Sequence, residues 1–185
     1  SQVQYNINYN GNPPWEGGVL AQGRYPSVIA TSDYPYAFWT EYTNQGFGYG
    51  GRPYYSYDEF GWDGTSWLYP IDVDPFFDGD KDLWTGSVAH GFDASSGQHH
   101  VSAVYDDWTR TGSYLFTSEA FEGGFIPFGS ETLVINPAHL GTDGYSSSAI
   151  LSMNDNGHGL LGIDAIFAGV DMNAGTCGPP AINLT

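Results

Sequence analysis

The chain has 185 residues, with 21 acidic residues against 4 basic ones and a formal net charge of −17. That length suits a single domain with a real core, and aromatics make up 17% of it. The charge excludes a nucleic-acid binder, which needs cations to displace phosphate counterions, and it disfavours an anionic membrane surface. A single lysine, Lys81, and a composition rich in Gly, Tyr, Asn and Ser point to a secreted or cell-surface protein. One cysteine, Cys177, leaves no intrachain disulfide framework. No apolar run reaches the ~18–20 residues that span a bilayer, and the opening "SQVQYNINY" has no signal-peptide pattern, so a secreted form is expected to be a mature chain.

The first predicted element is "VQYNINY", where Val3, Tyr5, Ile7 and Tyr9 alternate with polar residues, the pattern of a half-buried strand. It stops at "NGNPP", strong turn chemistry. Helix signals are nearly absent, because glycine or proline interrupts almost every ten-residue block.

Three stretches then share a layout. They are "YPSVIATSD" with "AFWTEY", "TGSVAHGFD" with "HHVSAVYDD", and "SSSAILSMND" with "GLLGIDAIFA". Their anchoring serines, Ser27, Ser87 and Ser148, lie 60 and 61 residues apart. Each stretch reads as a strand, a turn with Asp33, Asp93 or Asp155, and a second strand. The first two continue alike: Tyr54 aligns with Tyr114, Glu59 with Glu119 and Gly64 with Gly124. The pattern predicts an all-β fold of four-stranded antiparallel blade repeats about 60 residues long, hence a partial or open β-propeller. A β-sandwich is the alternative. One domain is expected over 1–185, with an N-terminal strand and turn in 1–20 and repeats in 21–80, 81–140 and 141–185, the last incomplete. Propellers typically close with 4–8 blades, so three repeats call for further blades or another chain. The first strand could complete the last blade or form an edge.

The blade pattern, with "DEFGWDGTSW" (58–67) and "SEAFEGGFI" (118–126) between the last two strands, resembles the Asp-box, sialidase-like propellers. Asp63, Gly64 and Trp67 keep the residue types of the box without its spacing. The "RYPS" opening and the Tyr/Trp/Gly-rich blades also resemble secreted cargo of the type IX secretion system. The first resemblance implies three arginines holding a substrate carboxylate. Arg24 matches the first, and Arg52 and Arg110 occupy similar positions in successive repeats, which favours a structural reading of all three. No nucleophile pair can be placed, so no catalytic residue is assigned.

Two further features bear on function. The run "DVDPFFDGDKDLW" crowds acids into one loop, where Asp78, Asp80 and Asp82 could turn toward one Ca²⁺, which takes 6–8 oxygens. Leu83 and Ala89 stand where an EF-hand needs glycine and glutamate, so the alternatives are an irregular calcium loop or a solvated acidic one. Trp39, Tyr54, Trp62 and Trp67 lie in aromatic-dense stretches and are candidates for stacking on a sugar or a protein partner, against the alternative of filling the space between blades. These features predict a structural or adhesive binding module for a protein or glycan, or one that assembles with its own copies. The alternative is a truncated sialidase-like or other glycoside hydrolase propeller.

Overall fold

The computed structural model describes residues 23–43, 50–64, 66–76, 81–109, 112–136 and 145–167. The predicted strand over Val3–Tyr9, as well as Asp78, Asp80, Arg110 and Cys177, lies outside them. The described residues are all β with no helix. Strands β1 (Gly23–Ala30), β2 (Pro35–Tyr42), β3 (Gly51–Tyr57) and β4 (Ile71–Asp72) form one antiparallel sheet in the order β1-β2-β3-β4. Strands β5 (Leu83–Asp93), β6 (Gln98–Asp107), β7 (Ser113–Thr117) and β8 (Thr132–Ile135) repeat that order. Strands β9 (Tyr145–Met153) and β10 (Gly159–Phe167) form a third, two-stranded sheet. The sheets stand side by side as an open array of blades, with β5 packed against both β1 and β9.

All three anchoring serines lie on the first strand of a hairpin, and Ser27 and Ser87 hold matching ladder positions, since their partners Phe38 and Val104 pair with Tyr55 and Leu115. Ser27 lies opposite Phe38, Ser87 opposite Val104 and Ser148 opposite Asp164. In the first two repeats the register slips just before the serine, between Arg24 and Ser27 and between Leu83 and Gly86. Both innermost strands therefore carry a bulge at the same place, which bends and twists a strand locally. In the first repeat the bulge is the "RYP" stretch, where Tyr25 has φ 54°, a conformation that strains a bulky residue. The bulge lays the Arg24 guanidinium over the Trp84 ring at 5.3 Å and sets Tyr25 edge-on to Trp108.

Side chains alternate between the two faces of each sheet. The front face of the first sheet, toward the second, presents Ile29, Tyr36, Phe38, Tyr55 and Tyr57. The rear face of the second presents Val88, Val101, Ala103, Tyr105, Tyr114 and Phe116. Together with Ile126 and Phe128 from the segment after β7, these make the main core. Phe38 stacks on Tyr55 at 5.6 Å, and Phe128 meets both rings edge-on. The buried Tyr55 hydroxyl donates to the Ile126 carbonyl (3.2 Å) and accepts from its N–H (3.1 Å), satisfying three polar groups at once.

The acidic stretch before β5 does structural work where it is described. Asp82 is buried, and its Oδ1 accepts from Gly51 N–H at 2.6 Å and Trp84 Nε1–H at 2.5 Å. A Cβ on Gly51 would lie 2.3 Å from the Trp84 indole, so only glycine permits this approach. Asp107 repeats the theme, accepting from the N–H of Asp82 and of Thr109. Among the described residues no group of three or more His, Cys, Asp or Glu is arranged to hold a metal ion.

Candidate functional site

Two hairpin-like connections meet at one end of the first blade. The β1–β2 turn is closed by Thr31, whose hydroxyl oxygen accepts from Tyr34 N–H at 2.9 Å and from Asp33 N–H at 3.3 Å. This is the local turn chemistry expected of a threonine. The β3–β4 connection is closed by Asp58, which is fully buried. Its carboxylate accepts from the N–H groups of Phe60 and Gly64, while its carbonyl accepts from Gly61. Asp58 also bridges to Trp67, just as Ser118 bridges to Phe128 in the second repeat. The acid that organises this turn is thus Asp58, and Asp63, the acid of the Asp-box comparison, sits exposed on the turn's outer side.

The two connections are clamped together. Gly61 lies against the Asp33 carbonyl so closely that a Cβ there would stand 2.7 Å from it. The Trp62 indole N–H points to the carbonyls of Ser32 (3.1 Å) and Thr31 (3.3 Å). The indole is thereby held by its edge, and Trp62 remains 60% exposed. Beside it opens a shallow recess of about 560 Å³ lined by Asp33, Tyr34, Glu59, Phe60, Trp62 and Glu122. That size lies within the ~300–1,000 Å³ typical of small-ligand sites. Glu122 arrives from the second blade, next to Gly123, whose carbonyl accepts from the Tyr36 hydroxyl at 3.2 Å.

Of the four aromatic residues proposed for a binding surface, only Trp62 presents its ring to solvent. Trp39 is 3% exposed, which corrects its assignment as a surface ring. It lies on the rear face of β2, with its indole N–H on Glu41 Oε1 at 2.7 Å and its ring 6.5 Å from that of Tyr54. Tyr54 and Trp67 are half-buried, Trp67 in the bridge to Asp58. The recess carboxylates Asp33, Glu59 and Glu122 carried no signal in sequence, because residues so far apart meet only when turn packs on turn.

The arginine cluster implied by the sialidase resemblance does not form between Arg24 and Arg52. Arg24 pairs in register with Thr40, whose hydroxyl donates to the Trp84 carbonyl on the second blade (2.9 Å). Arg52 pairs with Glu41 and binds Asp72 at 2.6 Å. The two guanidinium groups leave opposite faces of one sheet and cannot share a carboxylate.

The second blade carries a histidine pair across β5 and β6. His90 Nε2 and His99 Nδ1 stand 2.9 Å apart, and His99 is flanked by the rings of Phe92 and Phe121. Burial holds both imidazoles below their ordinary pKa; neighbouring imidazoles add to this, and Asp33 opposes it at His99. The unfolded chain therefore takes up protons first as pH falls through about 6.5. Stability is expected to drop as pH falls below that value, and His90→Gln with His99→Gln should flatten this limb in urea unfolding at pH 7, 6 and 5.

No family model and no curated protein matches the chain. Among solved structures, a GH43 β1,3-galactosidase with galactodeoxynojirimycin is similar over 79% of this chain and 54% of its own, at 14% identity and a TM-score of 0.34. The chain spans about half of that structure's length, and the likeness is too loose to carry any residue across.

Proposed function

We propose that this chain is an extracellular binding module that holds a glycan on the open face of Trp62. The observation that carries this reading is the pinned indole. Its N–H is spent on the Thr31 and Ser32 carbonyls, and its ring stands open beside Asp33, Glu59 and Glu122. A sugar's C–H face packs on such a ring, and carboxylates accept from its hydroxyls. A preorganised aromatic loses little freedom on binding. The three acids and the net charge of −17 select neutral or amino sugars and repel sialylated or sulfated ones. The acidic, lysine-poor composition supports display outside the cell.

The test is calorimetric titration with neutral, amino and acidic oligosaccharides. Binding is expected in the first two classes only, and Trp62→Ala should weaken it more than tenfold while Trp62→Phe retains part of it. Equal binding by wild type and Trp62→Ala, or preference for acidic glycans, would overturn the reading. The second reading, a glycoside hydrolase, draws on the same carboxylates, because paired acids flanking a sugar can cleave it. Sugar release from the same panel, lost on substitution of Glu59 or Glu122, would decide for it.

A further inference from the structure

The junction between repeats is built twice from equivalent positions. On the front face, Ile29, Ala89 and Ile150 each lie two residues past an anchoring serine, on the same side of the strand as that serine. Ile29 packs against the core shared with the second blade, and Ala89 is buried. The third sheet closes over that part of the second: a Cβ on Gly91 would meet Met153 at 2.6 Å, and one on Gly157 would meet His100 at 2.9 Å. In the third sheet the alternation leaves Leu151, Met153 and Leu161 facing the second blade. Ile150 and Leu160 face the other way and are 71% and 76% exposed.

The opposite end of the array is the matching half. Val88, on the rear face of the second blade, packs against the core between blades. Its equivalent in the first blade, Val28, is 79% exposed. Trp39 and Glu41 on that face are buried, so the open part is confined to the innermost strand β1, the strand that meets its neighbour in the internal junction. Among the described residues the array thus presents one bare front face and one bare rear strand, the two kinds of surface that meet twice within it.

We propose that the front face of the third sheet, at Ile150 and Leu160, receives β1 of a second copy of this chain, at Val28, continuing the internal junctions head to tail. Two copies joined in this way contribute six repeats, within the 4–8 that close a propeller. A head-to-tail contact closes into a ring when its rotation allows. This inference stands apart from the glycan reading, since Trp62 lies on neither surface.

The experiment is light-scattering mass measurement of the purified chain across a concentration series at low and high salt. A species of twice 20.1 kDa is expected, favoured by salt because each copy carries −17. Ile150→Lys with Leu160→Lys should yield a monomer, and so should Val28→Lys alone. All three positions are exposed, so circular dichroism and melting should match wild type. A monomer at every concentration would overturn the proposal, as expected if further repeats of a longer chain cover these faces. So would an oligomer indifferent to Val28→Lys, which would mark a symmetric contact between third sheets.

Discussion

Glu41→Gln is expected to raise the stability of this protein at pH 7 by on the order of 2–3 kcal/mol. Glu41 is fully buried on the rear face of β2, and burial pushes its carboxyl up to about 8 from an ordinary 4.5. Oε1 accepts from the Trp39 indole, while Oε2 has no hydrogen-bond partner. In the unfolded chain the group ionises near pH 4.5, whereas in the folded chain it stays protonated to about pH 8. Between those values the folded state holds the extra proton, so stability falls by about 1.4 kcal/mol per pH unit as pH rises. Below that window the group costs nothing through ionisation. Glutamine keeps the acceptor for Trp39 and removes the titration. Urea unfolding at pH 5, 7 and 8 should therefore show a small gain at pH 5 and the largest at pH 8. A gain that does not grow with pH would show that Glu41 is ionised in the fold.

Asp58→Ala is expected to cost about 2–4 kcal/mol, because it strips the acceptor from two turn N–H groups and leaves a void at a fully buried position. Its functional effect should be larger than its stability effect suggests. The turn it closes carries Glu59, Phe60 and Trp62, three residues of the recess. Losing the turn should free the Trp62 indole from the Thr31 and Ser32 carbonyls and abolish glycan binding under conditions where the protein remains folded. Asp58→Asn, which keeps one carbonyl acceptor, should fall between. Asp63→Ala, on the exposed side of the same turn, should change stability little. If Asp63→Ala proved the more damaging, the turn would be organised as the Asp-box comparison implies. The measurement is paired: the urea midpoint for the fold, and calorimetry for the site.

The repeat was legible because spacing alone carries it. Ser27, Ser87 and Ser148 could be aligned by counting, and the first two sit at matching ladder positions just past the bulges of β1 and β5, although the hairpins beyond them differ in length. The Tyr54 and Tyr114 alignment holds as well: each lies on the third strand of its blade, on the rear face. What counting could not supply was the covering of each face. Period-two alternation groups Trp39 with Glu41 and Arg52 with Tyr54, but it does not say whether that face meets solvent or protein. Trp39 therefore read as a surface ring and proved buried, while Trp62, with the same prior claim, stayed open. The arginines failed in the same way. Arg24 and Arg52 lie near the starts of β1 and β3, on either side of β2, and only the register shows them leaving opposite faces.

Composition and periodicity by themselves determined that this protein is an acidic, all-β chain built on four-stranded blades. Those properties follow from local chemistry: charge, turn residues and side-chain alternation act within a few residues of one another. Tertiary structure alone decided that Asp58 rather than Asp63 holds the turn. It also buried Glu41 beyond the reach of solvent and brought Asp33, Glu59 and Glu122 to one recess. Each of these depends on which surfaces pack together over long separations in sequence, and that packing is set by the sum of many contacts that no short stretch of the chain contains.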